Sequence, residues 1–174
     1  MSTGPDGRMS KSEGAKNGRA QIESERVRDA RIILVCDDDE EDQMLVADAF
    51  RQAGIFNPLR FVRDGEELMG YLRRREELPA LPGGTRTALL LLDLNMPRKD
   101  GREALREIKG DPRLRSIPVV VLTTSDTQED VDLVYALGGN SFISKPVTFD
   151  GLVSSMKLLG HYWFQVAKLP GSSR

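Results

Sequence analysis

From residue 31 onward the chain alternates short apolar runs with stretches whose apolar residues recur every three or four positions. Ile32, Ile33, Leu34, Val35 and Cys36 form the first run, an uninterrupted β-prone pentad of the kind that suits a strand buried on both faces. An acidic cluster follows at Asp37, Asp38 and Asp39, and then Met44, Leu45, Ala49 and Phe50 recur at helical spacing until Gly54 stops the pattern. Leu59 to Val62 predicts a second strand, and Gly65 to Glu77 a helix with Leu68 and Leu72 turned inward. Leu89 to Leu92 is the third strand, and Arg102 to Lys109 a helix ended by Gly110 and Pro112. Val119 to Leu122 and Ser141 to Ile143 are the last two strands, separated by a helix over Gln128 to Leu137 that Gly138 ends. A final helix starts at Thr148. Five strands alternating with five helices imply an α/β fold with a parallel sheet covered on both faces, because parallel strands need crossover connections.

The segments outside this alternation read differently. Residues 1–30 are rich in Gly, Ser, Lys, Glu and Arg without apolar periodicity, and could not bury enough surface to offset their ordering entropy. They are expected to be a disordered extension, with room for a short amphipathic turn at Ile22 to Val27. Residues 31–169 make the folded domain and residues 170–174 a tail. Leu78 to Thr87, LPALPGGTRT, is a proline- and glycine-rich loop.

Composition narrows the function. The 174 residues are 39% hydrophobic and 30% charged, which suits one globular domain. Lys and Arg total 25 against 27 Asp and Glu, and the net charge of −2 gives no general attraction to nucleic acid or to an anionic membrane. No apolar run approaches a membrane span or a secretory signal, so a cytoplasmic location is expected. Cys36 alone cannot form an internal disulfide, and His161 alone cannot build a zinc site; both read as structural.

In an open parallel sheet the ligand site lies beyond the carboxyl ends of the strands. The first strand delivers Asp37 and Asp38 to that rim, the third Asp93, the fourth Thr123 and the fifth Lys145. Carboxylates gathered within a few ångströms repel one another unless a cation is present. The donors are hard oxygens, so Mg²⁺ is the expected occupant. Asp93 can then act as a nucleophile toward phosphorus, with Lys145 neutralising phosphoryl oxygens and Thr123 donating a hydrogen bond to one of them. Asp37–Asp38 and Asp38–Asp39 are both candidate pairs, and counting from the five apolar residues before them favours the first. Asp39 would then sit beside the site or cap the first helix.

Over Arg31 to Leu159 these residues resemble the receiver domains of two-component response regulators. The marks are DDD at Asp37 to Asp39, DLNMP at Asp93 to Pro97 with Gly101, VVVLTTS ending in Thr123 to Ser125, and SFISKP ending in Lys145 and Pro146. The resemblance implies a flavodoxin-like doubly wound five-stranded parallel sheet of order 2-1-3-4-5 with five helices. It implies that Asp93 is the phosphoacceptor, loaded from a phosphohistidine on a sensor histidine kinase. Asp38 would bind Mg²⁺ directly, Asp37 directly or through water, and the backbone carbonyl of Asn95 would add a ligand. Lys145 would pair with the phosphoryl group, and the Lys145–Pro146 bond is expected to be cis. A switch is implied in which Thr123 moves toward the phosphoryl group and an aromatic residue on the fifth strand, here Phe142, fills the vacated space; Phe142 also fits an ordinary core position.

After Pro146 the remaining sequence suffices for one long helix and is too short for a DNA-binding module or an enzyme domain, so the signal is expected to leave by protein contact. A helix from Thr148 to Leu169 would extend about 33 Å. Leu152, Met156, Leu159, Trp163 and Val166 follow spacings of four and three, a seam of the sort that pairs helices, and a second row runs through Val153, Phe164 and Ala167. Homodimerisation through this helix, with Tyr162 and Trp163 facing the partner, is expected; the competing reading packs the whole face within one protomer. YWFQVAKLP and LPALPGGTRT resemble the single-domain receivers associated with phytochrome-type kinases, and the loop should lie at the end of the sheet away from Asp93. Two other readings are a receiver-like scaffold that is never phosphorylated and a haloacid-dehalogenase-type Mg²⁺ phosphatase. The latter needs a second aspartate two residues after the nucleophile, where this chain has Asn95.

Overall fold

The computed structural model describes Met1, residues 31–77 and residues 87–170. Five strands alternate with five helices: β1 (Ile32–Cys36), α1 (Glu40–Gln52), β2 (Leu59–Val62), α2 (Gly65–Glu77), β3 (Thr87–Leu92), α3 (Gly101–Gly110), β4 (Val119–Thr123), α4 (Gln128–Ala136), β5 (Ser141–Ser144) and α5 (Phe149–His161). All strand pairs are parallel, in the order β2-β1-β3-β4-β5. This is the flavodoxin-like doubly wound sheet. The expected extension over residues 1–30, most of the LPALPGGTRT loop and the tail after Pro170 lie outside the described residues.

The strand pattern divides the core in two. Because successive side chains in a strand point to opposite faces, Leu34, Cys36, Leu90, Leu92, Val119 and Val121 turn toward α2, α3 and α4, where Leu68, Leu72, Leu105, Ile108 and Val134 meet them. Ile33, Val35, Leu89, Leu91, Val120 and Leu122 turn toward α1 and α5, against Val46, Ala49, Phe50, Leu152, Met156 and Leu159. Leu68 and Leu72 are buried as expected, whereas Met44 and Leu45 are exposed. Ala49 and Phe50, from the same expected pattern, are buried and cover the sheet with Val46, because Asp39 caps α1 through the Glu41 and Asp42 N–H groups and thereby sets its rotation.

The C-terminal part of the chain, from Lys145 onward, departs from expectation in three ways. α-Helical geometry ends at His161 and Tyr162–Val166 forms a π-helical turn, closed by the Ala167 N–H donating to the Tyr162 carbonyl at 2.7 Å. The wider turn seats both Trp163 and Phe164 against the α1–α5 core. Leu152, Met156 and Leu159, expected in a dimer seam, are buried within the protomer, while Tyr162 and Val166 are exposed. Their spacing reflects packing on the sheet. Finally, no peptide bond among the described residues is cis, so Lys145–Pro146 is trans, the lower-energy isomer, and Lys145 reaches its partners from that backbone. Among the described residues no helix is long and apolar enough to cross a membrane.

Candidate functional site

Sheet register brings the acidic residues together. Cys36 lies opposite Leu92, so the first residues beyond the two strands, Asp37 and Asp93, emerge side by side. Backbone bonds pin both: the Asp37 N–H donates to the Val62 carbonyl at 3.0 Å, and the Asp93 N–H to the Cys36 carbonyl at 2.9 Å. Carboxylate oxygens of Asp37, Asp38 and Asp93 all lie within 4.8 Å of one another. Asp37 and Asp93 are buried while Asp38 is exposed, a graded set that can hold a cation partly in water. Asp39 points away and caps α1, which favours the Asp37–Asp38 pair.

Lys145 reaches this cluster from the end of β5. Its Nζ donates to Asp37 Oδ2 at 2.7 Å and to Asp42 Oδ2 at 2.6 Å, and stands 3.8 Å from Asp93 Oδ2. Burial pushes the Lys145 ammonium toward deprotonation, but its bonds to Asp37 and Asp42 outweigh that and hold it above the ordinary lysine value. Burial raises the Asp37 carboxyl above its usual range, against the pull of Lys145 and of the Asp39 N–H that donates to Asp37 Oδ1 at 3.0 Å. One ammonium therefore leaves the cluster short of positive charge. Hard oxygen donors in that state fit a small divalent cation.

The remaining expected residues lie on β4, on β5 and in the loop after β3. Thr123 is fully buried at the end of β4, and its Oγ1 accepts the Ser125 N–H at 3.3 Å. The Lys145 N–H donates to the Thr123 carbonyl at 2.7 Å, tying the two strand ends. The Asn95 N–H donates to Asp93 Oδ1 at 3.4 Å. Phe142 pairs across β4–β5 with Val121 and is partly buried against the α2–α4 core. Gly101, the first residue of α3, presses on the backbone of Asp93: a Cβ there would lie 2.1 Å from the Asp93 carbonyl oxygen. The NMPRKDG stretch is thus a tight return that brings α3 back under the acidic residue, with Asp100 capping the helix in a reciprocal bond with Glu103.

Two single residues and two ion pairs escaped the reading of the sequence. Asp42 looks like any acidic residue in a first helical turn, yet it shares Lys145. Gln43 donates from Nε2 to the Asp37 carbonyl at 2.6 Å. Arg102 forks onto Asp130 with bonds of 2.7 and 2.6 Å, and Ser125 Oγ donates to the same carboxylate at 2.5 Å. That network braces the start of α3 against the start of α4 and the loop after β4. Arg98, at φ 64, pairs with the buried Asp64 that caps α2, which locks the loop after Asp93 to the loop after β2. No local spacing signals these long-range pairs.

Acidic residues, a buried hydroxyl and a lysine at the strand ends of such a sheet are the arrangement of a receiver domain. Residues 33–157 match the family model of the response regulator receiver domain, and the chain belongs to that family. Among its relatives, the probable methanogenesis regulatory protein FilR2 of Methanothrix harundinacea is 38% identical over 145 residues, covering 82% of this chain and 90% of FilR2. Response regulator Rcp1 of Synechocystis sp. is 37% identical over 142 residues, covering 82% and 95%. The crystal structure of Rcp1 in its Mn²⁺-bound form superposes with a TM-score of 0.70 at 36% identity, covering 80% of this chain and 99% of that one. That of the phosphorylated cyanobacterial phytochrome response regulator RcpA gives 0.71 at 38% identity, covering 80% and 98%.

Proposed function

We propose that this protein is a phosphoacceptor that takes a phosphoryl group onto Asp93 from a phosphohistidine of a sensor histidine kinase. The observation that carries the reading is the clustering of Asp37, Asp38 and Asp93 within 4.8 Å around a strand end that Lys145 also reaches. In the transfer, a lone pair on an Asp93 carboxylate oxygen forms the new O–P bond as the bond from phosphorus to the donor imidazole breaks. The electron pair stays on that nitrogen, which takes a proton from solvent. Lys145 and the Thr123 hydroxyl stabilise the phosphoryl oxygens. Asp37, Asp38, Asp93 and the Asn95 carbonyl would hold Mg²⁺, which when bound neutralises the crowded carboxylates and the phosphoryl charge. Rcp1, crystallised with Mn²⁺, supports a divalent metal, and RcpA, crystallised in phosphorylated form, supports the chemistry.

The kinase is of the phytochrome type in this reading, in keeping with the similarity to RcpA. Met44 and Leu45 on α1, and Val147 and Phe149 beyond Lys145, are exposed and offer apolar side chains for docking it. The signal passes from Thr123 to Phe142 by packing, since phenylalanine has no phenol to hydrogen-bond. Output is by protein contact, including a homodimer built on the end of α5 and the π-turn, where Leu158, Tyr162 and Val166 are exposed beside a cavity of about 530 Å³. The test is incubation with Mg²⁺ and acetyl phosphate followed by intact-protein mass spectrometry. A single phosphoryl increment is expected that Asp93→Asn abolishes; modification persisting in that variant would move the acceptor elsewhere.

A further inference from the structure

Lys145 is shared by carboxylates, and one of them stands outside the metal-competent trio. Asp42, in the first turn of α1, accepts from Lys145 Nζ at 2.6 Å, as close as Asp37 at 2.7 Å, while Asp93 Oδ2 is 3.8 Å away. An ammonium has three N–H donors and no acceptor. Two of them are committed to Asp37 and Asp42, and the separation from Asp93 exceeds hydrogen-bond range.

We propose, resting on the assignment of Asp93 as phosphoacceptor, that Asp42 competes with the phosphoryl group for Lys145. It holds the ammonium off Asp93 in the resting protein, leaving the nucleophilic oxygen unshielded, and gives it up when phosphoryl oxygens arrive.

Geometry identifies Asp42 as the partner that yields. The Asp37 side chain is 5% exposed and held from two sides, by Lys145 and by the Asp39 N–H. The Asp42 side chain is 34% exposed, so water replaces Lys145 at little cost. The freed carboxylate also lies in the first turn of α1, where the helix dipole favours negative charge. The Lys145–Asp42 pair is moreover the tie between the first turn of α1 and the segment after β5. Asp42 is thus a positioning residue: it touches neither phosphorus nor the metal-competent trio, and it sets how readily Lys145 reaches the phosphoryl group.

Beryllofluoride, a non-covalent mimic of a phosphoryl group, tests the competition at saturating Mg²⁺. Removing a competitor of partly exposed ion-pair strength should tighten beryllofluoride binding by Asp42→Asn about two- to fivefold. Asp42→Glu, which restores a carboxylate, should return the affinity toward wild type. In the wild-type protein, beryllofluoride should shift the ¹³Cγ resonance of Asp42 toward that of a solvent-exposed carboxylate, which a merely structural role for Asp42 would not produce. Unchanged or weaker binding by Asp42→Asn, or an Asp42 resonance that stays in place, overturns the proposal. If wild-type protein itself neither binds beryllofluoride nor gains an Asp93-dependent phosphoryl increment, it is the phosphoacceptor assignment that has failed, and the role of Asp42 falls with it.

Discussion

Gly101→Ala sets two magnitudes of opposite sign against each other. Gly101 opens α3, and alanine in a helix is favoured over glycine by about 1 kcal/mol, so propensity alone predicts a more stable protein. Space predicts the reverse. The new Cβ would lie 2.1 Å from the Asp93 carbonyl oxygen, 2.8 Å from Leu94 Cα and 2.9 Å from the Asp93 carbonyl carbon. All three are backbone atoms at a close-packed strand end, so no flexible side chain can swing aside. The Gly101 N–H donates to the Leu94 carbonyl at 2.9 Å, which resists sliding the helix away. Overpacking of this kind costs roughly 1–3 kcal/mol, and contact with backbone places it at the upper end. The expected balance is a net loss of about 1–2 kcal/mol. Urea denaturation should show a lower midpoint with an unchanged slope. On the proposed phosphoacceptor role of Asp93 the displacement has a second consequence there, because a nucleophile has to be held within about 0.5 Å of its productive place. Phosphorylation by acetyl phosphate should therefore slow more than the stability loss alone explains. A Gly101→Ala protein as stable as wild type, or more so, would refute the reasoning.

Asp130→Asn should show a stability loss that depends on pH. The Arg102 guanidinium and the Ser125 hydroxyl hold the Asp130 carboxyl down to about 2, so its contribution is complete above the usual carboxylate range and fades as pH falls toward 2. At neutral pH that depression corresponds to at most about 2 kcal/mol, and to about 1 kcal/mol once screening is allowed for at an arginine partner that is 25% exposed. Urea titrations of both proteins at pH 7 and near pH 3 check this, and an undiminished difference at the lower pH would contradict it. Met156→Ala, in the core between α5 and the sheet, should cost about 2–5 kcal/mol in thermal or urea unfolding. Tyr162→Ala should alter protomer stability far less and instead weaken self-association in light scattering; a protein that is monomeric at every concentration, phosphorylated or not, would remove the dimer.

The fold and the residues at its rim were legible for different reasons. Leu89 to Leu92 and Val119 to Leu122 announce themselves because a strand covered on both faces has to be apolar at every position. Asp37, Asp93 and Thr123 stand out because they are the first polar groups after such runs, and Lys145 because it directly follows the shorter SFIS strand. The helices were less transparent. Met44 and Leu45 have the spacing of an inward face, yet they are exposed, since the Asp39 cap and the packing of Val46, Ala49 and Phe50 settle the rotation of α1. Leu152, Met156 and Leu159 repeat at intervals that serve a partner helix and a sheet equally well.

Local periodicity and strand-end residues, by themselves, determined the five β–α alternations, the parallel sheet and the identity of the residues at its rim. These are properties of neighbouring residues, governed by backbone geometry and the burial of apolar side chains. Tertiary structure alone decided that α5 gives way to a π-turn after His161, that Lys145–Pro146 is trans, and that Lys145 divides its donors between Asp37 and Asp42 while standing off Asp93. Lys145 is more than a hundred residues from Asp37 and Asp42 in sequence. A carboxylate's partner is chosen by distance in space, and that distance exists only once β1, β3, β4 and β5 have been laid side by side.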